Sequence, residues 1–283
     1  MGAAYLGETY WRRLIVFYIP MFMFLAAMLF PFYWMTVTSV KADAELYNAK
    51  AIPFLVFDFT LDHWIYLFRE TLYIRWALNT LFIATVSTAI SLFAGTLAGY
   101  SLARLRFPGS STFGISIFVT YLVPPTLLFI PLAGVVSDLR LYDSPWALIL
   151  TYPTFLVPFS TWLLMGYFRT IPREMEECAR IDGATRLQAF VKVVLPLGLP
   201  GLISAGIFSF TLSWNEFLYA LVFISSPEQK TIPVGVVSEL IKGDVFFWGS
   251  LMAGALFGSV PVAIVYSFFV EHYVSGITGA VKG

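Results

Sequence analysis

Charge is the scarcest property of this sequence. Of its 283 residues only 12% are Asp, Glu, Lys or Arg, against roughly 25% in a soluble domain. The two signs cancel, 17 against 17, so there is no basic field to gather nucleic acid and no acidic one to gather cations. Cysteine occurs once, at Cys178, which excludes an internal disulfide and a cysteine-based metal cluster. The two histidines, His63 and His272, are far apart and lie beside the edges of apolar runs, where they read as interfacial residues rather than metal ligands. No G-x-x-x-x-G-K-[ST] stretch is present, so the chain has no phosphate-cradling loop and no means of hydrolysing ATP alone. Neither a cofactor nor a metal is expected to bind it.

Apolar residues are what the chain has in excess, 59% of the total, with a mean hydropathy of +0.80. They gather in blocks, at about 14–40, 76–103, 112–136, 146–168, 197–224 and 247–270. Each is long enough to cross a hydrocarbon layer of about 30 Å as a helix. An all-α, polytopic membrane bundle of six transmembrane helices is therefore expected, residues 1–283 forming one membrane domain with its core at about 76–270. The first block follows Arg12 and Arg13. It exceeds a signal-peptide core of about 7 to 15 residues and lacks a small-x-small cleavage site, so it reads as an uncleaved anchor. Six spans put both termini on one side, and the connections on that side carry ten of the 17 Lys and Arg residues. The positive-inside bias thus expects cytoplasmic termini.

Within those blocks Glu216 is the single charged residue. Mid-membrane charges usually mark ion or proton paths, so their absence speaks against a relay-driven pump. Pro124, Pro125 and Pro131 interrupt the third block and Pro153 and Pro158 the fourth; backbone groups freed there must face protein or a water-filled path. Gly95-x-x-x-Gly99 and Gly254-x-x-x-Gly258 are small-xxx-small faces that let helices approach closely.

A charged stretch, "EECARIDGATRLQAFVKVVLP" (Glu176–Pro196), stands between the fourth and fifth blocks, within a loop of about 169–196. Pro172 fits the first turn of a helix, Glu174, Glu176 and Glu177 suit its positive end and Arg180 its negative end, with Glu176 and Arg180 spaced as an i,i+4 pair. Gly183 can end that helix in a left-handed conformation. Thr185-Arg186-Leu187-Gln188 then has the form of a capping box. Leu187, Phe190, Val191 and Val194 make one apolar stripe, and Met175, Cys178 and Ala179 a smaller one. Two amphipathic helices hinged at a glycine have a face to bury, on the membrane interface, on their own bundle or on a partner protein.

The order Glu177-Cys178-Ala179-x3-Gly183-x9-Val193-x-Leu195-Pro196 resembles the EAA motif of ABC importer permeases, E-A-A-x3-G-x9-I-x-L-P. The context "FRTIPREMEECARIDGAT" (Phe168–Thr185), together with "AGYSLARLRFPG" (Ala98–Gly109), "WNEFLYAL" (Trp214–Leu221) and "SGITGAVKG" (Ser275–Gly283), is similar to the carbohydrate-uptake branch of that family, over essentially the whole chain. Cys178 stands where the family usually has Ala, and Val193 where it often has Ile; both are small changes in volume.

The resemblance implies that 169–196 is a cytoplasmic coupling loop seated on an ATPase subunit, carried by Glu177, Cys178, Ala179, Asp182, Gly183, Ala184, Leu195 and Pro196. It implies a bacterial or archaeal plasma-membrane permease, assembled with a second homologous permease, two copies of a cytoplasmic ABC ATPase that uses ATP and Mg, and an extracytoplasmic solute-binding protein. The cargo it suggests is a sugar or a related polyol, and the tail from Ser275 would also reach the ATPase. Asn215 and Glu216 fall near the outer membrane edge, where capping or a permease interface is weighed against substrate contact and an outer-gate or interface role is expected. A self-sufficient channel or carrier would need coupling residues at mid-membrane, and an intramembrane enzyme would need paired carboxylates or a nucleophile with its base. The spans show neither.

Overall fold

The computed structural model describes residues 11–280 other than Arg106 and Asp244, with side chains as far as Phe268. It is helical throughout, apart from one short hairpin. Two compact units emerge: residues 1–71 with 238–257, and residues 72–237 with 258–283.

In the first unit, α1 (Trp11–Ser39) is a long apolar span. Its first part is a π-turn, Leu14–Tyr18, in which Ile19 N–H reaches back to Leu14 O. Pro20 follows at once, and because proline has no N–H and crowds the carbonyl four residues earlier, a widened turn before it relieves the clash. The connection after α1 is braced internally. Lys41 Nζ donates to Ile52 O and Pro53 O, both at 3.1 Å, and pairs with Glu45 at 3.4 Å. Glu45 in turn accepts the N–H groups of Phe57 and Asp58. Helix α2 (Asp62–Arg69) buries His63, whose Nε2 lies 2.9 Å from Lys41 O and whose ring fills the space beside Gly249. His63 is thus a buried structural residue. The hairpin pairs β1 (Ile241–Lys242) with β2 (Val245–Phe246).

The second unit is built on α3 (Tyr73–Arg104), 32 residues long, or about 48 Å at ~1.5 Å per residue. It is followed by α4 (Ser110–Tyr121), α5 (Pro125–Asp138), α6 (Pro145–Thr151), α7 (Pro153–Thr170), α8 (Arg173–Ile181), α9 (Arg186–Leu197), α10 (Leu199–Trp214), α11 (Leu218–Phe223), α12 (Ile232–Leu240) and α13 (Trp248–Ala280); the last two cross the boundary between units. Gly95 and Gly99 lie where α3 meets α7. A Cβ on Gly95 would stand 2.6 Å from Ser160 Cβ, and one on Gly99 3.0 Å from Met165 N. The expected small-residue face is therefore a helix contact, extended to α10 by Ser160 Oγ and Ser209 Oγ at 3.0 Å.

Among the described residues four helices are long and apolar enough to cross a membrane, and the number rises to six when each of two bent pairs is taken as one span. In the first pair α4 meets α5 at 96°. Pro125 drives Pro124 out of the helical region, to ψ 130°. Pro153 marks a seam between α6 and α7, whereas Pro158 lies inside the continuous α7. In the second pair α9 meets α10 at 72°, at Gly198 and ahead of Pro200. The fifth span was expected to run unbroken to about 224, but α10 ends at Trp214 and a separate helix begins at Leu218.

Two apolar clusters hold this unit together. One gathers Ile83, Val136, Leu148, Tyr152, Leu156, Tyr219 and Phe223. The other gathers Tyr100, Leu164, Phe168, Phe190, Val194 and Ala205, and it seats the 169–196 loop.

Candidate functional site

The loop leaves α7 through buried Ile171, and Pro172 serves as the N-cap of α8, at φ −57° and ψ 136°. That dihedral is the one proline prefers, and Pro172 has no N–H left to satisfy at a helix start. At the other end Asp182 is the C-cap and Gly183 adopts φ +91°. Ala184 N–H reaches Ala179 O at 3.0 Å, and Gly183 N–H reaches Arg180 O at 3.2 Å. These are the two bonds of a Schellman turn, which fills the last open carbonyls of the helix. Thr185 starts α9, with Thr185 N–H on Gln188 Oε1 (2.8 Å) and Gln188 N–H on Thr185 Oγ1 (3.3 Å). The expected capping box is present, two residues after the glycine that ends α8.

Within α9, Phe190–Val194 forms a second π-turn, in which Leu195 N–H reaches Phe190 O. Pro196 stands just beyond it, in the same relation as Pro20 to the π-turn of α1. Leu195 and Pro196 are thus part of the turn that leads from the loop into the next span. Phe190 and Val194 are buried, while Leu187 is 67% and Val191 47% exposed, so the stripe splits between a seated half and an open half. On α8, Met175, Cys178 and Ile181 are exposed, Ile181 by 84%.

Two residues outside the loop hold it in place. Tyr100 Oη donates to Glu176 Oε1 at 2.6 Å, and its ring lies 4.3 Å from that of Phe190. Arg104 Nη2 donates to Ile171 O at 2.5 Å. Glu176 thus engages α3, and the pair with Arg180 is not among the ion pairs of the described residues. Tyr100 and Arg104 lie in the stretch Ala98–Gly109 that carries the family resemblance, and no role for either follows from the sequence alone. The available signal was a Tyr and an Arg four residues apart at the end of an otherwise apolar span. Glu177 is exposed and lines a cleft of about 90 Å³ with Arg104, Arg173, Glu176, Arg180 and Arg186.

The second candidate position, Asn215 and Glu216, is a corner of the fold. Trp214 Nε1 donates to Gly258 O at 3.0 Å, and Asn215 Nδ2 to Thr211 O at 2.9 Å. Glu216 caps α11, accepting Tyr219 N–H at 2.8 Å and Ala220 N–H at 3.1 Å, and it accepts the Tyr152 hydroxyl at 2.9 Å. The C-terminal stretch from Ser275 lies outside the described side chains. Among the described residues no His, Cys, Asp and Glu group could hold a metal ion.

Residues 91–279 match the family described as binding-protein-dependent transport system inner membrane component. The chain is 38% identical, over 90% of its length and 89% of the relative's, to the sulfoquinovosyl glycerol transport system permease protein SmoH of Agrobacterium fabrum. It is 35% identical to the trehalose transport system permease protein SugB of Mycobacterium tuberculosis, over 90% and 93%. Among solved structures, a chain of a bacterial ABC transporter involved in importing the acidic polysaccharide alginate superposes with a TM-score of 0.77 at 22% identity. That match covers 91% of this chain and 95% of that one, and at such identity it speaks for the fold.

Proposed function

The chain belongs to the family of binding-protein-dependent transport system inner membrane components, and on that premise we propose that it is the permease of an ABC importer for a sugar or related polyol. Two relatives that match it over about nine-tenths of both chains are named for the transport of sulfoquinovosyl glycerol and of trehalose, which supports the substrate class. In this reading a second permease completes the pathway and an extracytoplasmic binding protein delivers the cargo. Two copies of a cytoplasmic ATPase, using ATP and Mg, supply the work, and both termini lie with them in the cytoplasm.

The observation that carries the proposal is the construction of α8 and α9. Both ends of the hinge are closed by local hydrogen bonds, at the Schellman turn of Gly183 and the capping box of Thr185 and Gln188. The unit is bolted to the bundle by Tyr100 and Arg104. A body so braced moves as one piece, and displacement of a partner seated on it is passed to α3, α7 and α10 as rigid-body motion. Its free apolar side, with Met175, Cys178 and Ile181, is the surface a partner would cover. Glu177, Ala179, Asp182 and Ala184 complete the same knob.

Cys178 makes the test direct, because it is the one cysteine of the chain and it is exposed. A maleimide should label it in the chain stripped of the ATPase and fail to label it in the intact complex. Equal labelling in both states, or sugar uptake into vesicles without ATP, would overturn the proposal.

A further inference from the structure

A cavity of about 330 Å³ lies wholly within the first unit, and neither the coupling loop nor Glu216 takes part in it. Trp34, near the end of α1, and Trp248, the first residue of α13, line it together with Thr38, Lys41, Glu45 and Asn48. Apart from Trp248 and Met252, its lining precedes residue 91, where the family match begins. The matched region alone therefore does not build it.

Both indoles are held by aromatic neighbours. Trp34 stands edge-on to Phe54 at 5.8 Å. Trp248 is stacked on Phe246 at 5.1 Å, and Tyr47 Oη donates to Phe246 O at 2.6 Å, yet Trp248 is still 41% exposed. The charged pair is already spent. An ammonium has three N–H donors, and those of Lys41 go to Ile52 O, Pro53 O and Glu45, while Glu45 also accepts the N–H groups of Phe57 and Asp58. An ionic ligand would find no free counter-charge here. What remains free is neutral: among the described residues no hydrogen bond uses the Thr38 hydroxyl, Asn48 Nδ2 or either indole N–H. Thr38 is only 8% exposed, and its hydroxyl is unpartnered without being enclosed. It opens on the cavity and calls for a partner from outside the chain.

We propose that this cavity binds one pyranose ring of a neutral sugar, its C–H face against the indoles and its hydroxyl groups on Thr38 and Asn48. The face of an indole is electron-rich and attracts polarised C–H groups, and neutral donors and acceptors match sugar hydroxyls where a purely apolar ligand would leave them unpaired. The volume stands at the lower end of small-molecule sites, about 300–1,000 Å³, which suits a mono- or disaccharide. That the ring belongs to transported cargo rests on the importer reading; the chemistry of the walls does not.

The test uses the full chain with its co-purifying subunits in phosphatidylcholine nanodiscs, without the binding protein. Ala51→Cys puts a thiol on the cavity wall, and peptide mass spectrometry separates its maleimide labelling from that of Cys178. Glucose or trehalose should slow this labelling several-fold, and sorbitol, which has the hydroxyls without the ring, should not. The slowing should be lost when Asn48→Ala or Trp248→Ala is added. It should be kept with Trp146→Ala, an exposed tryptophan outside the cavity. In the wild-type chain, saturation-transfer NMR should show transfer to the ring C–H protons of glucose, again lost in Trp248→Ala. No slowing by either sugar, equal slowing by sorbitol, or slowing that survives both cavity variants overturns the proposal. Slowing only in discs that carry a glucosyl diacylglycerol would make the ring a lipid headgroup's and overturns it for a soluble sugar. ATP-driven sugar uptake by cells carrying the complete importer is measured separately. Uptake without protection sinks the cavity alone, and protection without uptake supports the cavity and sinks the importer reading.

Discussion

Tyr100 donates its hydroxyl to the carboxylate of Glu176 across 2.6 Å, joining the end of α3 to the first turn of α8 over 76 residues of sequence. Hydrogen bonds to a charged group contribute about 1.5–3 kcal/mol. Tyr100→Phe keeps the ring against Phe190 and removes only this bond. Faster amide exchange is expected over 173–189, with the spans unchanged. Unaltered exchange in the loop would show that the bond does not hold it.

Gly183 sits at φ +91° with nothing within 4 Å of where a Cβ would be, so a substitution there meets backbone strain and no clash. Gly183→Ala should cost about 1–2 kcal/mol and fray the end of α8, read as a local rise in exchange. Gly183→Pro cannot reach that φ and loses the N–H bonded to Arg180 O. ATP-driven uptake should be abolished while the chain remains in the membrane, and retained uptake would count against rigid coupling through this hinge.

Gly95 is the tighter of the two glycines between α3 and α7. Gly95→Leu forces a side chain onto Ser160 and the Thr161 backbone, an overpacking that costs typically about 1–3 kcal/mol. A lower thermal midpoint of the detergent-purified chain is expected, with Gly134→Leu, where the added Cβ meets nothing within 4 Å, as the tolerated comparison.

Removing the Glu216 carboxylate strands two backbone N–H groups and the Tyr152 hydroxyl, at about 1–3 kcal/mol for each group left unsatisfied. Glu216→Ala should lower thermal stability more than Glu216→Gln, which keeps an acceptor oxygen. The same order in the absence of any other permease would assign the residue to this chain's own corner, and equal stability of the two variants would argue for a role at a subunit interface.

Asp143 accepts the Ser226 hydroxyl and the N–H groups of Ser226 and Ser225, and these bonds hold its carboxyl below the usual carboxylate range. A lowered folded-state value means that the contribution is present above the unfolded value of about 3.9 and is lost as pH falls through the folded one. The amides of Ser225 and Ser226 should stay protected at neutral pH and lose protection only under acid below the normal range. Asp143→Asn should remove that acid step.

The sequence by itself determined which segments enter the membrane and how the loop between α7 and α10 is built. Apolar length decides the first. The second depends on groups a few residues apart: Pro172 to open α8, Gly183 to close it, and Thr185 with Gln188 to start α9. Each completes its hydrogen bonds within one turn, so spacing alone predicts it. Tertiary structure decided the rest. That Glu176 turns to Tyr100 and not to Arg180, that Glu216 is filled by Tyr152 and the first turn of α11, and that Arg104 reaches Ile171 O all depend on residues tens of positions apart. Their meeting is set by how α3, α7 and α10 close on their small residues, and a local pattern carries no record of that packing.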